Sequence, residues 1–245
     1  EDGKPVVYLR DTGMPAVGSL YYGRIRDYLP GSEACFIDVG LPDGPVFCDN
    51  GNAHPVGTDV ICQLSAFAHD NKAPRVTLDI RITGVFCVVL LSDCGCRVSK
   101  RLSPPERERL QVLGETIRKK FGIPGLILRT ESAAASPEAL AEEAKRLFSF
   151  WRNLRQEPYV RFGPIAPISQ LVRLILDYPV TGYTEIAVDS PTFAKKLCET
   201  LPELAGRIHC VTSSDFDIFA VKSVDTVPAS LLGRRVWLKS GGNIV

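Results

Sequence analysis

The sequence is short of most features that would announce a function. Lys plus Arg (29) and Asp plus Glu (28) leave a net charge of +1. No general basic field advertises a polyanion partner, so any nucleic-acid site has to be a local patch. No run approaches the ~18 consecutive apolar residues of a membrane-spanning helix, and Glu1-Asp-Gly-Lys4 is not the start of a secretory signal. His54, His69 and His209 stand apart from one another and from any serine or cysteine in a nucleophile motif, which leaves acyl-transfer catalysis without support. A phosphate-cradling glycine motif is absent, and no pair of carboxylates shares an edge as two-metal hydrolysis would need. Asp177 and Asp189 merely end a helix and a strand. The eight cysteines are scattered, several in apolar runs where a thiol behaves as a small hydrophobe, which reads as a reducing cytoplasm. Cys94-Gly-Cys96 has one intervening residue where zinc sites have two to four, so no metal role is read there.

What is present, at 45% apolar content, suffices for sizeable cores in two or three small domains. Tyr22 to Gly40 reads as two short strands joined by Pro30-Gly31, and a third strand starts after Gly44, with the alternation of a half-buried sheet. Strands continue through Val60–Phe67, a polar loop over His69–Pro74, and a return over Arg75–Ile82, which predicts a small barrel over residues 17–82. Gly84–Leu91 is a nearly all-apolar strand. Ser103-Pro-Pro-Glu106 opens a helix with a capping box, and Leu110, Leu113, Ile117 and Phe121 continue it to Gly122. Gly125–Thr130 is a buried strand, and Ser136-Pro137 opens a second helix with Leu140, Ala144, Leu147 and Trp151 on one face. Residues 83–156 therefore form a compact α/β unit. The last third alternates again: a helix over Ser169–Tyr178, strands at Glu185–Asp189 and Arg207–Thr212, a helix from Pro191, a further helix to Gly233, then Arg234–Lys239 and a Ser240–Asn243 hairpin turn. With a first strand at Pro5–Arg10, this predicts an open sheet with helices on its faces.

Two places carry recognisable chemistry. Arg24 and Arg26 lie on one barrel strand and Phe36 and Phe47 on its neighbours, a combination that suits single-stranded nucleic acid because cations meet phosphates and rings stack on any base. By composition alone both rings are more often core than contact. Arg129-Thr130 ends a buried strand, where a guanidinium beside a hydroxyl can clamp a phosphate, although an ordinary surface arginine fits the dipeptide as well. Lys72 is either a phosphate contact or a solvated loop residue.

Tyr22-x-Gly-x-Ile with Phe36-x-Asp-x-Gly40 and Phe47, Gly125-x-Ile-x-Arg-Thr130 followed by Ser-Pro-Glu-Ala-Leu140, and the closing Leu-x-Ser-Gly-Gly-x-Ile-Val245 resemble the amino-terminal half of the bacterial ribonuclease E/G family. The resemblance spans nearly the whole chain in the same order. It implies an OB-fold RNA-binding barrel (17–82) inserted in a ribonuclease H-like α/β domain (1–16 and 157–245), with a five-prime-sensor domain over 83–156. It implies that Phe36 and Phe47 stack on RNA and that Lys72 contacts its backbone. Gly84 and Val88 would line the sensor pocket, and Arg129 and Thr130 would hold a terminal monophosphate. The partner implied is single-stranded RNA, in processing or decay, and homo-oligomerisation is left open. The family's metal-binding aspartates follow the Ser-Gly-Gly strand where this chain stops. Mg²⁺ is thus expected for a longer enzyme and not for these residues. The alternative expectation is a shortened, non-catalytic relative serving as a scaffold or protein-interaction module.

Overall fold

The computed structural model describes residues 14–51, 54–68, 72–92, 94–178, 184–188 and 190–210, and the backbone of 236–237 and 243–244. The strand expected at Pro5–Arg10 and the helix expected up to Gly233 lie outside the described residues. The described residues within Gly13–Thr184 form one compact unit, and those within Glu185–Val245 belong to another. No helix among the described residues is long and apolar enough to cross a membrane.

The larger unit begins with β1 (Leu20–Tyr28), β2 (Cys35–Asp38), β3 (Val46–Cys48), β4 (Asp59–Ala66) and β5 (Arg75–Thr77). These close into an OB-like five-stranded barrel in the order β1-β2-β3-β5-β4, with β4 pairing back on β1. Alternation builds it: Ile25, Cys35, Ile37, Val46, Cys48, Cys62 and Val76 point inward as a common core, and the residues between them face out. At the Pro30-Gly31 turn Gly31 takes a φ of 72°, which glycine adopts without a Cβ penalty.

Arg75–Ile82, read from the sequence as one returning strand, is two. A bend at Leu78-Asp79 separates β5 from β6 (Arg81–Thr83), and β6 starts a second sheet. That sheet runs β6-β7-β9-β8, with β7 (Cys87–Leu90), β8 (Gly95–Val98) and β9 (Gly125–Leu128). β8 and β9 are parallel and joined by helix α1 (Pro104–Phe121), a crossover unit that antiparallel strands do not need. Helix α2 (Pro137–Leu154) also packs on the sheet, and Leu110, Ile117, Leu126, Leu128, Leu140, Ala144 and Trp151 share its core.

The caps read from the sequence are in place. The Glu106 carboxylate accepts the Ser103 hydroxyl at 2.7 Å and its N–H at 3.4 Å, Gly122 closes α1 in the left-handed conformation, and Ser136 Oγ accepts the Ala139 N–H at 3.1 Å. The edge strand β8 is guarded: Glu115 accepts the Cys96 N–H and Gln111 donates to the Cys96 carbonyl, each at 2.8 Å. Gln63 ties barrel to sheet, donating to the carbonyls of Gly18 and Arg81 and accepting the Arg81 N–H.

Two further elements complete this unit. β10 (Gly163–Ala166), which the sequence reading did not identify, pairs antiparallel with β1, and α3 (Gln170–Asp177) is capped by Ser169. The second unit contains the parallel pair β11 (Ile186–Val188) and β12 (Ile208–Cys210) and helix α4 (Pro191–Thr200) between them. Backbone pairing of β13 (Val236–Trp237) with β14 (Asn243–Ile244) is antiparallel.

Candidate nucleic-acid interface

On the outside of the barrel, β2 and β3 pair Phe36 directly with Phe47. The two half-buried rings meet edge to face at a centroid distance of 5.8 Å, a favourable geometry for their quadrupoles. They are not core: Cys35, Ile37, Val46 and Cys48 fill the interior positions on either side. β5 runs parallel to β3 in a register that sets Arg75 opposite Phe47, and the guanidinium lies 5.6 Å from the ring centroid. Lys72 is exposed just upstream, on the segment that leads into β5.

Arg24 and Arg26, read from the sequence as RNA-binding cations, are each paired with an aspartate. Arg24 faces Asp59 on β4 and donates through Nε at 2.5 Å and Nη2 at 3.0 Å. Arg26 is the extra residue of a bulge in β1 and donates twice to Asp38, at 2.5 and 3.1 Å. Hydrogen bonds from these arginines hold both carboxyls below the usual aspartate range, with the Gly40 N–H assisting at Asp38 and the Tyr22 hydroxyl at Asp59. Each cation therefore has a carboxylate partner on the barrel itself. Arg24 also lies 5.5 Å from the ring of Phe162, beside Tyr22 and Tyr159.

The second cluster sits on the four-stranded sheet. Arg129 follows β9, and its Nη1 donates to the Gly84 carbonyl at 2.7 Å while Nη2 donates to the Leu176 carbonyl at 2.6 Å. The latter is a cation at the carboxyl end of α3, where the helix dipole favours it. Glu131 lies 3.6 Å from Nε. A guanidinium has five N–H donors, so one on each terminal nitrogen is left over from these contacts. Val88 is half-buried on β7, opposite Ile127 of β9. Thr130 Oγ1 lies 3.0 Å from Ser99 Oγ. This hydroxyl pair occupies the carboxyl ends of the parallel strands β8 and β9, the place where open α/β sheets receive ligands, and exposed Lys100 and Arg101 follow Ser99.

The Gly84 turn is shaped from below. Glu143 on α2 is 1% exposed, and its carboxylate accepts the N–H groups of Val85 (2.6 Å), Phe86 (2.9 Å) and Cys87 (2.9 Å). A Cβ at Gly84 would come within 2.5 Å of Glu143 Oε1, which is why glycine stands there.

The structure thus joins Phe36 to Phe47 and Gly84 to Arg129, and keeps these two groups on separate sheets. Sequence reading missed Arg75, Ser99, Lys100, Arg101 and Glu143. The Lys100-Arg101 dipeptide was a usable signal once β8 was seen as a strand; Glu143 gave none, because its donors lie 56 to 58 residues away. Among the described residues no group of three His, Cys, Asp or Glu side chains is placed to hold a metal ion. The residues described do not fit a divalent cation, and no chemical step is assigned to one.

Comparison with known proteins bears on the same surfaces. The chain is 29% identical over 264 residues to ribonuclease G of Haemophilus influenzae, covering 94% of this chain and 52% of that protein. It is 27% identical over 254 residues to ribonuclease E of the same organism, with 93% and 27% covered. To ribonuclease G of Escherichia coli it is 26% identical over 269 residues, with 96% and 54% covered. The chain spans about half the length of these ribonucleases G and less of the ribonuclease E. The family model for the ribonuclease E/G family matches residues 81–245, the stretch that starts at β6 and contains the Gly84–Arg129 cluster. With that match over most of its length, the chain belongs to the ribonuclease E/G family.

Proposed function

We propose that the chain is the RNA-binding, five-prime-end-sensing part of a ribonuclease E/G-type endoribonuclease that acts in RNA processing or decay. In this reading residues 17–82 are the OB-fold RNA-binding domain, 83–156 the five-prime sensor, and 1–16 with 157–245 a ribonuclease H-like domain. Mg²⁺-dependent hydrolysis is assigned to residues other than those described. The single observation that carries the proposal is the Phe36–Phe47 pair, held outside a filled barrel core with a cation over one ring. Stacking platforms of this kind hold unpaired bases irrespective of sequence, at about 1–3 kcal/mol per base. Lys72 and Arg75 supply charge at its edge, and Arg24 and Arg26, each paired with an aspartate, are the further cations of this RNA-binding face.

The sensor assignment rests on Arg129, whose two remaining terminal N–H donors match two oxygens of a phosphate, beside Thr130 and the Ser99 hydroxyl. Gly84 and Val88 form its wall. Binding of short RNAs that differ only in a five-prime monophosphate or hydroxyl tests both halves, read by fluorescence anisotropy. The expected result is tighter binding of the monophosphate, lost in Thr130→Val, and weaker binding of both RNAs by Phe36→Ala. Equal affinity of the wild-type protein for the two ends would remove the sensor. Failure to bind either RNA would remove the whole reading and leave the scaffold role.

A further inference from the structure

Arginines 24 and 26 look like the cations of the barrel site, but each is closed by an aspartate at hydrogen-bond distance. Arg75 differs in its partner and in its ring. Its carboxylate neighbour Asp49 lies at 3.8 Å and is itself 63% exposed, where Asp59 and Asp38 lie at 2.5 Å and are 35% and 26% exposed, and its guanidinium lies over Phe47 of the aromatic pair. An ion pair that loose, between solvated partners, contributes little, so the charge remains available.

We propose that Arg75 is a phosphate-neutralising residue of the barrel site, alongside Lys72, acting with Phe47 as one clamp for a nucleotide of single-stranded RNA. The proposal rests on the RNA-binding reading of the Phe36–Phe47 pair and deepens it. The parallel β3–β5 register fixes the clamp: Phe47 and Arg75 are partners, and the Phe47 N–H donates to the Pro74 carbonyl at 2.9 Å, so ring and guanidinium stem share one backbone frame. Phe36 abuts the same ring edge-on. A base that stacks on this aromatic pair places its sugar-phosphate at the rim, within the sweep of a long exposed arginine. Arginine suits the position better than lysine, because a planar, weakly hydrated guanidinium can lie over a ring and donate two parallel hydrogen bonds to a phosphodiester. Since the other two arginines of the face are each paired with an aspartate, Arg75 carries a large share of the counterion release on binding.

The test is the salt dependence of binding to a five-prime-hydroxyl oligouridylate of about eight nucleotides, measured by anisotropy across a potassium chloride series. A lost phosphate contact on a single strand lowers the slope of log K against log salt by about 0.7. Arg75→Ala is expected to show that drop together with several-fold weaker binding at low salt. Arg75→Lys should keep the slope and lose part of the affinity, because the charge survives and the stacking geometry does not. Arg152→Ala, which removes an exposed charge on α2, should change neither. Wild-type slope and affinity in Arg75→Ala, alongside weakened binding by Phe47→Ala, would overturn the clamp and leave the aromatic site standing. No binding by the wild-type protein would overturn the site reading itself. Thermal melts of the arginine variants separate either result from misfolding.

Discussion

Replacing Glu143 with alanine should be among the most damaging single changes on the four-stranded sheet, and its size can be worked from the three N–H groups it serves. The carboxylate is 1% exposed, and Val85 and Cys87 are buried as well. A buried donor left without a partner costs roughly 1–3 kcal/mol, and hydrogen bonds to a charged acceptor are the stronger kind. Water entering the space left by the side chain recovers part of this for Phe86, the least buried of the three, so about 3–5 kcal/mol of destabilisation is expected rather than the full sum. For a unit of this length each kcal/mol moves the melting temperature by about 2–4 °C, giving a fall on the order of 10 °C. Glu143→Gln keeps one acceptor oxygen but turns an amide N–H₂ toward donors, so it should cost about 2 kcal/mol. Urea unfolding followed through Trp151, a neighbour in the same core, measures both. Amide hydrogen exchange at Val85, Phe86 and Cys87 should accelerate selectively in the glutamine variant. Because the Gly84 carbonyl anchors Arg129, the same variant should lose preference for a five-prime monophosphate before it loses affinity for the rest of the strand. An alanine variant within ~1 kcal/mol of wild type, with unchanged exchange at those amides, would refute the reasoning.

Asp59→Asn should release Arg24 and steepen the salt dependence of RNA binding by about 0.7; an unchanged slope would mean that Arg24 does not face the RNA. Asp38 should titrate below the ordinary value of 3.8, mainly because Arg26 hydrogen-bonds its ionised form. The stabilisation from that pair is complete above the unfolded aspartate range and is lost as pH falls through the lower folded value. A carboxyl NMR titration with its midpoint at or above 3.8 would contradict this. Burial, aided by Cys48, pushes the Cys35 thiol up to about 12, and burial, aided by Glu115, does the same to Cys96, while burial also raises Cys62. An aromatic disulfide reagent at pH 8 should therefore modify Cys94, Cys198 and Cys210 in the folded chain and reach Cys35, Cys48, Cys62, Cys87 and Cys96 only on unfolding, which mass spectrometry of trapped peptides would show.

Local signals were the legible ones. The two long helices followed from Ser103-Pro-Pro-Glu106, Gly122 and Ser136-Pro137 because caps act on their own turn. The barrel strands followed from alternation, which records burial directly. β5 and β6 were merged because Arg75–Ile82 alternates throughout, and nothing in that pattern marks a change of sheet. β8 and β10 escaped because Gly95–Val98 and Gly163–Ala166 are short and hold glycine or proline, and their strand state comes from partners elsewhere in the chain. The site divided along the same line. Residue type alone favoured core for Phe36 and Phe47, and only the family resemblance put them on RNA; the pairing of Arg24 and Arg26 depends on Asp59 and Asp38, which reach them only through strand register. Arg75 and Glu143 act across register and helix packing in the same way.

The entry to the barrel and the exit from β10 meet. The Ala16 N–H donates to the Ile168 carbonyl at 2.8 Å, and the Ile168 N–H donates to Ser19 Oγ, a contact between residues 149 positions apart. Everything between is an excursion that leaves and rejoins the chain at one point. The entropic cost of closing a loop grows only with the logarithm of its length, so the junction is nearly indifferent to how long the excursion is. Lengthening or shortening a surface turn inside the excursion, such as Pro55–Thr58, should therefore leave that junction intact.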